Sequence, residues 1–141
     1  MRLQNKVALI SGAGRGIGEA IALQFMAQGC QVIAIEKDAP SAAALQTKLT
    51  GHWVEVLDVT DKEGLLALVE RVMARYGRID ILVNNAVAYT ERPVHKCTDD
   101  EWDSTIDLAL SAVFRACRAV LPGMMQARSG SIVNLASINQ I

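Results

Sequence analysis

Four glycines within seven residues are the most chemically suggestive feature of this chain. Gly12, Gly14, Gly16 and Gly18 directly follow a short apolar run, Val7–Ile10, and lead into a segment with helical periodicity. Glycine lets the backbone approach a ligand closely, and a helix N-terminus offers unpaired N–H groups and a partial positive charge. This composition between a strand and a helix predicts a pyrophosphate-binding turn. A tight strand-to-helix turn without a ligand is the alternative.

The spacing of the cluster distinguishes it from the commonest dinucleotide fingerprint. Gly12, Gly16 and Gly18 give G-x-x-x-G-x-G, whereas G-x-G-x-x-G would require a glycine at the position of Ile17. Arg15 and Ile17 stand among these glycines. We therefore expect both residues to contribute to the cofactor site with the three glycines.

An acidic residue follows the second apolar segment, twenty residues after Gly16. A carboxylate at Glu36 can accept hydrogen bonds from both hydroxyls of an adenosine ribose, and it repels a 2′-phosphate. Like charges about 4 Å apart near a protein surface cost up to roughly 4 kcal/mol. Arg15 and Lys37 have the opposite effect, because either cation can pair with a 2′-phosphate. Glu36 carries more weight, which predicts NAD as the cofactor, with NADP less favoured.

Composition and charge narrow the class of protein. The 141 residues are 51% hydrophobic with a formal net charge of −1, which gives no indication of a nucleic acid or an anionic membrane as partner. The first apolar run is too short for a signal peptide, and no segment is expected to approach the length of a membrane span.

The cysteines and histidines of the chain indicate neither disulfides nor metal binding. The three cysteines (Cys30, Cys97 and Cys117) are scattered, which indicates free thiols in a reducing cytoplasm. His52 and His95 lack ligand spacing, so no metal site is predicted.

Short apolar segments alternate with helical segments along the chain. This alternation predicts an α/β fold of Rossmann type, a doubly wound parallel sheet of five strands with helices on both faces. Capping boxes at Thr60–Glu63 and Thr98–Glu101 are expected to open the third and fourth helices, and Pro122 to disturb the end of the fourth. Residues 1–141 are predicted to form one domain. The predicted strands are Val7–Ile10, Val32–Ile35, Trp53–Leu57, Ile79–Val83 and Ser131–Leu135, and the predicted helices are Ile17–Gln28, Pro40–Leu49, one ending near Tyr76 and one running through Val120.

Four motifs in this order and spacing resemble the short-chain dehydrogenase/reductase family. They are the glycine turn at 11–18, the pair at 58–59, the triplet at 84–86 and the strand at 131–137. The resemblance implies a cofactor that lies across the ends of the first and fourth strands. It also implies hydride transfer between nicotinamide and a small secondary alcohol or ketone.

The same resemblance assigns roles to individual residues. Asp58 and Val59 would contact the adenine ring, and Asn85 and Ala86 would lie close to the adenosine ribose. Ser137 would hydrogen-bond the carbonyl or hydroxyl of the substrate. Taken singly, these residues have plainer alternatives as turn, loop and strand-end residues.

Departures from the family pattern affect the chemistry. The resemblance implies a tyrosine with a lysine four positions later, beyond the serine, yet neither Tyr76 nor Tyr89 has a lysine at that spacing. Ala109 stands in place of a helix asparagine and Val87 in place of a glycine. We therefore expect an N-terminal part of such an enzyme, without the family's C-terminal strands and helices and inactive alone. A non-catalytic dinucleotide-binding remnant is the alternative.

Two apolar stripes run along the fourth predicted helix. One stripe can bury against the sheet, and the stripe of smaller residues is predicted to lack a cover. The fifth strand is predicted to be an exposed sheet edge. Together these surfaces predict a homo-oligomer, with burial inside a larger protein as the alternative. The larger residues are Ile106, Leu110, Val113, Phe114, Cys117 and Leu121, and the smaller ones are Leu108, Ala109, Ala112, Ala116, Ala119 and Val120.

Overall fold

A computed structural model describes residues 1–87 and 92–137 of the chain. Five strands form one parallel sheet in the order β3-β2-β1-β4-β5, with helices between them. This arrangement confirms the predicted Rossmann-type α/β fold. The strands are β1 (Val7–Ser11), β2 (Gln31–Glu36), β3 (Trp53–Val56), β4 (Ile81–Asn84) and β5 (Ser131–Asn134), and the helices are α1 (Gly16–Ala27), α2 (Ala39–Lys48), α3 (Lys62–Tyr76), α4 (Asp99–Ile106) and α5 (Ala112–Ala127).

Helices cover both faces of the sheet. On one face, Ile10 and Val32 pack in a core with residues of α1 and α2. On the other face, Leu9 and Leu82 pack in a core with residues of α3 and α5. Because the central strands are buried on both sides, they consist of near-continuous apolar residues, as is typical of parallel sheets.

β1 lies between β2 and β4 in the sheet, although β4 comes much later in the chain. The chain winds from β1 outward to β3 and then returns to the other side of β1 at β4. The loops after β1 and β4 therefore diverge and leave a crevice at the carboxyl ends of these strands. Ile10 pairs with Val83 at this point, one residue before Ser11 and Asn84 end the two strands.

The N-terminus of α3 corrects one prediction. Asp61, rather than Thr60, is the N-cap, and its Oδ1 accepts a hydrogen bond from the Gly64 N–H at 3.0 Å. The N–H and hydroxyl of Thr60 donate to Asp58 Oδ1 at 3.0 and 2.8 Å. The predicted capping box at Thr60 was wrong because the turn at Asp58 occupies the threonine.

The fourth predicted helix is a continuous segment, Asp99–Ala127, in which a π-helical turn at Asp107–Ser111 joins α4 to α5. Its capping box is confirmed. The Thr98 hydroxyl accepts from the Glu101 N–H at 3.2 Å, and the Glu101 carboxylate accepts from the Thr98 N–H at 3.0 Å. Pro122 was expected to disturb the end of this helix, but α5 continues through the proline to Ala127. The proline is exposed, so water can satisfy the carbonyl that loses its helical partner.

The face of α5 that packs on the sheet is opposite to the predicted one. Ala112, Ala116 and Val120 are buried, whereas Leu110 and Phe114 are 61% and 58% exposed. The small side chains allow α5 to lie close to α3 and β4, which a stripe of large residues would prevent. The expectation that the small-residue stripe lacks a cover was therefore wrong, and the larger residues form the uncovered face.

The long helix also satisfies length and composition criteria for a membrane span. Among the described residues, the helix Asp99–Ala127 is long and apolar enough to cross a membrane by length and composition. The expectation that no segment approaches a membrane span was too strong on this criterion. A core helix of a folded protein passes the same test, and α5 contributes four residues to the core beside α3.

A buried carboxylate ties the start of the sheet together. Asp80 is 5% exposed, accepts a hydrogen bond from the Val7 N–H at 2.9 Å, and pairs with Arg78 and Lys6. Burial raises the pKa of Asp80, but the hydrogen bonds from Arg78 and Val7 and the two positive charges outweigh it and leave the pKa lowered. Burial, with the nearby charge of Asp80, raises the pKa of the Cys30 thiol to about 11, which makes this thiol unreactive at neutral pH.

Candidate functional site

The turn after β1 has the backbone geometry of a ligand cradle. Gly12 and Gly16 adopt left-handed φ angles of +62° and +58°. A Cβ on Gly12 would lie 2.8 Å from the Cα of Ala86, whereas a Cβ on Gly16 would meet no protein atom within 4 Å. Gly12 is therefore required for packing against the loop after β4. Gly16 faces open space, where a ligand can approach the backbone.

Hydrogen bonds from the loop after β4 fix this turn. The side-chain amide of Asn85 donates to the carbonyl oxygens of Ser11 and Gly12 at 3.1 and 2.9 Å. The Ser11 hydroxyl oxygen accepts from the N–H groups of Asn85 and Ala86 at 3.0 and 3.1 Å. A Cβ on Gly18 would lie 2.5 Å from Asn85 Nδ2. Asn85 and Gly18 therefore hold the turn in shape through packing and hydrogen bonds.

The N-terminus of α1 borders the same region, where Arg15 and Ile17 line a common cleft. Arg15 occupies the N-cap position with an extended backbone, and its side chain makes no capping hydrogen bond. The N–H groups of the first helical turn have no intrahelical partners, and the helix dipole adds a partial positive charge. This end of α1 can bind an anion.

Glu36 is held in a fixed position at the end of β2. Its Oε2 accepts a hydrogen bond from the Gly14 N–H at 2.9 Å, and its Oε1 accepts from the Asp38 N–H at 3.0 Å. Two backbone donors thus orient one carboxylate between the glycine turn and the loop before α2. Each oxygen retains a further lone pair for a ligand hydroxyl.

Carboxylates lie near the two cations that could favour a 2′-phosphate. Hydrogen bonds from the Ser41 hydroxyl and N–H lower the pKa of Asp38, and the charge of Arg15 lowers it further. Burial raises the pKa of Asp58, but hydrogen bonds from Thr60 and the charge of Lys37 outweigh it, so the pKa is lowered. Each of the two cations thus acts on a neighbouring carboxylate, Arg15 on Asp38 and Lys37 on Asp58.

These elements enclose a cleft of about 250 Å³ at the carboxyl ends of β1, β2 and β4. Eight of the predicted binding residues line it, and Gly16 and Gly18 lie in the turn and helix that border it. Ser137, which is described and exposed, does not line the cleft. The predicted residues that line it are Gly12, Arg15, Ile17, Glu36, Asp58, Val59, Asn85 and Ala86.

Five further lining residues were not among the predicted binding residues. Ile35 and Leu57 contribute apolar walls to the cleft, and Leu108 reaches it from the long helix. A signal for Ile35 and Leu57 exists in the sequence, because each directly precedes a predicted binding or turn residue at a strand end. No comparable signal marks Leu108. Lys37 and Val87 complete the lining.

The titratable groups that line the cleft are Arg15, Glu36, Lys37 and Asp58. Tyr76 lies at the opposite end of the sheet, beside Lys6 and His52. Tyr89 lies outside the described residues. Within the described part of the chain, the cleft is therefore built for binding a polar ligand rather than for proton transfer by a tyrosine.

Comparison with known proteins gives a consistent result. A family model for short chain dehydrogenases matches residues 6–140. The chain is 40% identical to 3-oxoacyl-[acyl-carrier-protein] reductase FabG of Thermotoga maritima, with 98% of this chain and 58% of that protein covered. It is 41% identical to D-threitol dehydrogenase of Mycolicibacterium smegmatis, with 96% and 54% covered. The chain spans about half the length of the curated relatives it matches.

Solved structures show the same fold. A metagenomic short-chain oxidoreductase in complex with NADP superposes with a TM-score of 0.89 and 33% identity, over 97% of this chain and 64% of that one. A short-chain dehydrogenase from Streptomyces avermitilis superposes with a TM-score of 0.89 and 36% identity, over 96% and 51%.

Proposed function

The chain belongs to the short-chain dehydrogenase family, and from this premise we propose that its cleft binds the adenosine and pyrophosphate half of a nicotinamide dinucleotide. The open backbone at Gly16 and the uncapped N-terminus of α1 fit a pyrophosphate. The apolar walls at Ile35 and Leu57 fit an adenine ring. A cleft of about 250 Å³ lies just below the roughly 300–1,000 Å³ of complete ligand pockets, which suits half of a dinucleotide.

Among the two nicotinamide dinucleotides, we propose that NAD(H) is preferred over NADP(H). The observation that carries this proposal is the Glu36 carboxylate, fixed by the N–H groups of Gly14 and Asp38 beside the cleft. A carboxylate held in this way accepts hydrogen bonds from a ribose diol and repels a 2′-phosphate. The relative that was solved with NADP shows that other members of this fold family bind the phosphorylated cofactor. Glu36 is our reason for separating this chain from it.

The reaction we propose for the enzyme is hydride transfer between nicotinamide and a small secondary alcohol or ketone. Bound nicotinamide supplies the hydride acceptor or donor. The resemblance gives Ser137 the role of hydrogen-bonding the substrate oxygen. Ser137 alone cannot deliver a proton at neutral pH, and the sequence contains no Tyr-x-x-x-Lys. We therefore propose that this 141-residue chain does not turn over by itself.

The partners and environment we propose follow from the exposed surfaces. Leu110, Phe114 and Met125 are 61%, 58% and 73% exposed on the long helix, and β5 lies at the edge of the described sheet. Exposed apolar faces and free strand edges are typical of association sites, so we propose self-association.

The environment we propose is a reducing cytoplasm. The cysteines in the described part of the chain are free thiols, which supports this proposal.

Titration calorimetry with NADH and NADPH tests the proposed binding. We expect weak binding of both cofactors, with NADH the tighter by at least about tenfold, which corresponds to about 1.4 kcal/mol. Equal or tighter binding of NADPH would show that Arg15 and Lys37 outweigh Glu36. If neither cofactor binds, the proposed cofactor site is wrong.

An absorbance assay of NADH formation with secondary alcohols tests turnover, and rates typical of enzymes would contradict the proposed inactivity of this chain.

A further inference from the structure

Gly14 and Gly18 are the two glycines of the turn whose backbone does not require glycine, and Gly18 is explained by its packing against Gly12 and Asn85. Gly12 and Gly16 have left-handed φ angles, whereas Gly14 does not. A side chain at this position is therefore permitted by the backbone, and a steric or functional reason must explain the glycine.

The space above Gly14 is occupied by the Glu36 side chain. A Cβ on Gly14 would lie 2.5 Å from Oε2, 2.6 Å from Cγ and 2.7 Å from Cδ of Glu36. All three contacts are shorter than side-chain carbons tolerate, and all three are made to one flexible side chain. Any residue larger than glycine at position 14 would thus clash with Glu36, and we expect the flexible glutamate side chain to be the group that moves.

Displacement of Glu36 would also break a specific hydrogen bond. Its Oε2 accepts from the Gly14 N–H at 2.9 Å, while its Oε1 is held by the Asp38 N–H. Without the hydrogen bond from the Gly14 N–H, only the Asp38 N–H still holds the Glu36 carboxylate. The Gly14 N–H is itself occupied by Glu36, so its contribution to binding runs through this carboxylate rather than through direct contact with phosphate.

We propose that Gly14 is a specificity-determining residue, which sets the preference between the two dinucleotides by leaving the space in which Glu36 is held. The proposal rests on the proposed cofactor site. Gly14 acts as a positioning residue, because its effect is transmitted by the Glu36 carboxylate.

A double-mutant cycle on cofactor discrimination tests this proposal. Binding of NADH and NADPH is measured for the full chain and for Gly14→Ala, Glu36→Ala and the double variant. We expect Gly14→Ala to lower the ratio of NADPH to NADH dissociation constants by about tenfold, chiefly through weaker NADH binding. In the Glu36→Ala background, Gly14→Ala should have no further effect on this ratio. Gly123→Ala is the matched control, because it also lacks a left-handed φ and meets only the flexible end of Met73.

The outcomes separate this proposal from the proposed function. If the unmodified chain prefers NADH and Gly14→Ala leaves the ratio of dissociation constants unchanged, the proposed role of Gly14 is wrong, whereas the proposed cofactor site is supported. An equal effect of Gly14→Ala with and without Glu36 would also overturn it, since Gly14 would then act directly. If neither nucleotide binds the unmodified chain, both proposals fail. Should Gly14→Ala not fold, amide hydrogen exchange in Glu36→Ala decides, because loss of the carboxylate must accelerate exchange of the Gly14 N–H; unchanged exchange would overturn the coupling.

Discussion

Single residues of the cleft differ in how they contribute to binding. Glu36 offers acceptor oxygens to a ligand while two backbone N–H groups hold it. Asn85 uses its side-chain amide on the carbonyls of Ser11 and Gly12. Replacing Glu36 therefore changes which ligand is preferred, whereas replacing Asn85 releases the turn itself and weakens binding of every ligand that uses it.

Gly16→Val is expected to abolish dinucleotide binding. The valine side chain would fill the open space above the turn, and the left-handed φ of +58° adds strain of about 1–2 kcal/mol. Gly51→Val is the matched control, because Gly51 also has a left-handed φ and open surroundings but lies between α2 and β3, at the opposite end of the sheet from the glycine turn. Titration calorimetry should show loss of dinucleotide binding only for Gly16→Val. Denaturant titration should show a similar decrease in the free energy of unfolding for both variants. Retained binding by folded Gly16→Val would remove this residue from the site.

Residue types and spacing predicted which residues approach the cleft better than they predicted what each side chain does. Eight predicted residues line one cleft, because strand ends and the turns between them are visible in the sequence. The hydrogen bond of Glu36 to the Gly14 N–H and that of Asn85 to the Gly12 carbonyl join residues far apart in sequence. Such pairings depend on strand order and register, which spacing alone does not specify.

At the scale of elements, the start of the sheet depends on Asp80, which links the N–H of β1 residue Val7 to Arg78 and Lys6. Asp80→Asn should lower the free energy of unfolding at pH 7 by about 2 kcal/mol, since charge-assisted hydrogen bonds to a buried group are lost. Denaturant titration measures the change, and Asp103→Asn, at an exposed position of α4, is the control.

The same variant predicts a pH dependence. Because the folded-state pKa of Asp80 is lowered, the charged carboxylate stabilises the fold above its unfolded pKa of about 3.9, and the contribution is lost as the pH falls through the folded pKa. The stability difference between the unmodified chain and Asp80→Asn should be full near neutral pH and shrink as the pH falls below about 4. A difference that is constant down to pH 3 would contradict an electrostatic role for Asp80.

The positions of strands and helices could be predicted where one hydrophobic periodicity defines the element. The buried face of a helix was harder to predict, because it depends on packing against other elements. All five strands were predicted at nearly their observed positions, since the strands of a parallel sheet are short apolar runs between turns. The long helix has two apolar stripes, and the sequence does not state which one packs on the sheet. Small residues such as Ala112 and Ala116 were buried because close approach to α3 and β4 outweighs the larger area of Phe114. The π-helical turn at Asp107–Ser111 has no simple sequence signal.

At the scale of the whole molecule, the exposed face of the long helix is expected to mediate self-association. Leu110→Asp combined with Phe114→Asp should shift the chain toward monomer, because both side chains are more than half exposed and contribute apolar area. Sedimentation velocity at several micromolar concentrations measures the change. Ala112→Glu is the contrasting variant, since Ala112 is 3% exposed and a buried glutamate should unfold the chain. An unmodified chain that stays monomeric at all concentrations would contradict the expected association.

The central claim is that the cleft recognises the adenosine diphosphate half of a dinucleotide and that Glu36 rejects a 2′-phosphate. Titration of the full chain with ADP-ribose and with its 2′-phosphorylated derivative tests this most directly, because neither ligand carries nicotinamide. We predict that ADP-ribose binds at least about tenfold more tightly and that Glu36→Ala removes most of the difference. Equal or tighter binding of the 2′-phosphorylated ligand by the unmodified chain would contradict the claim.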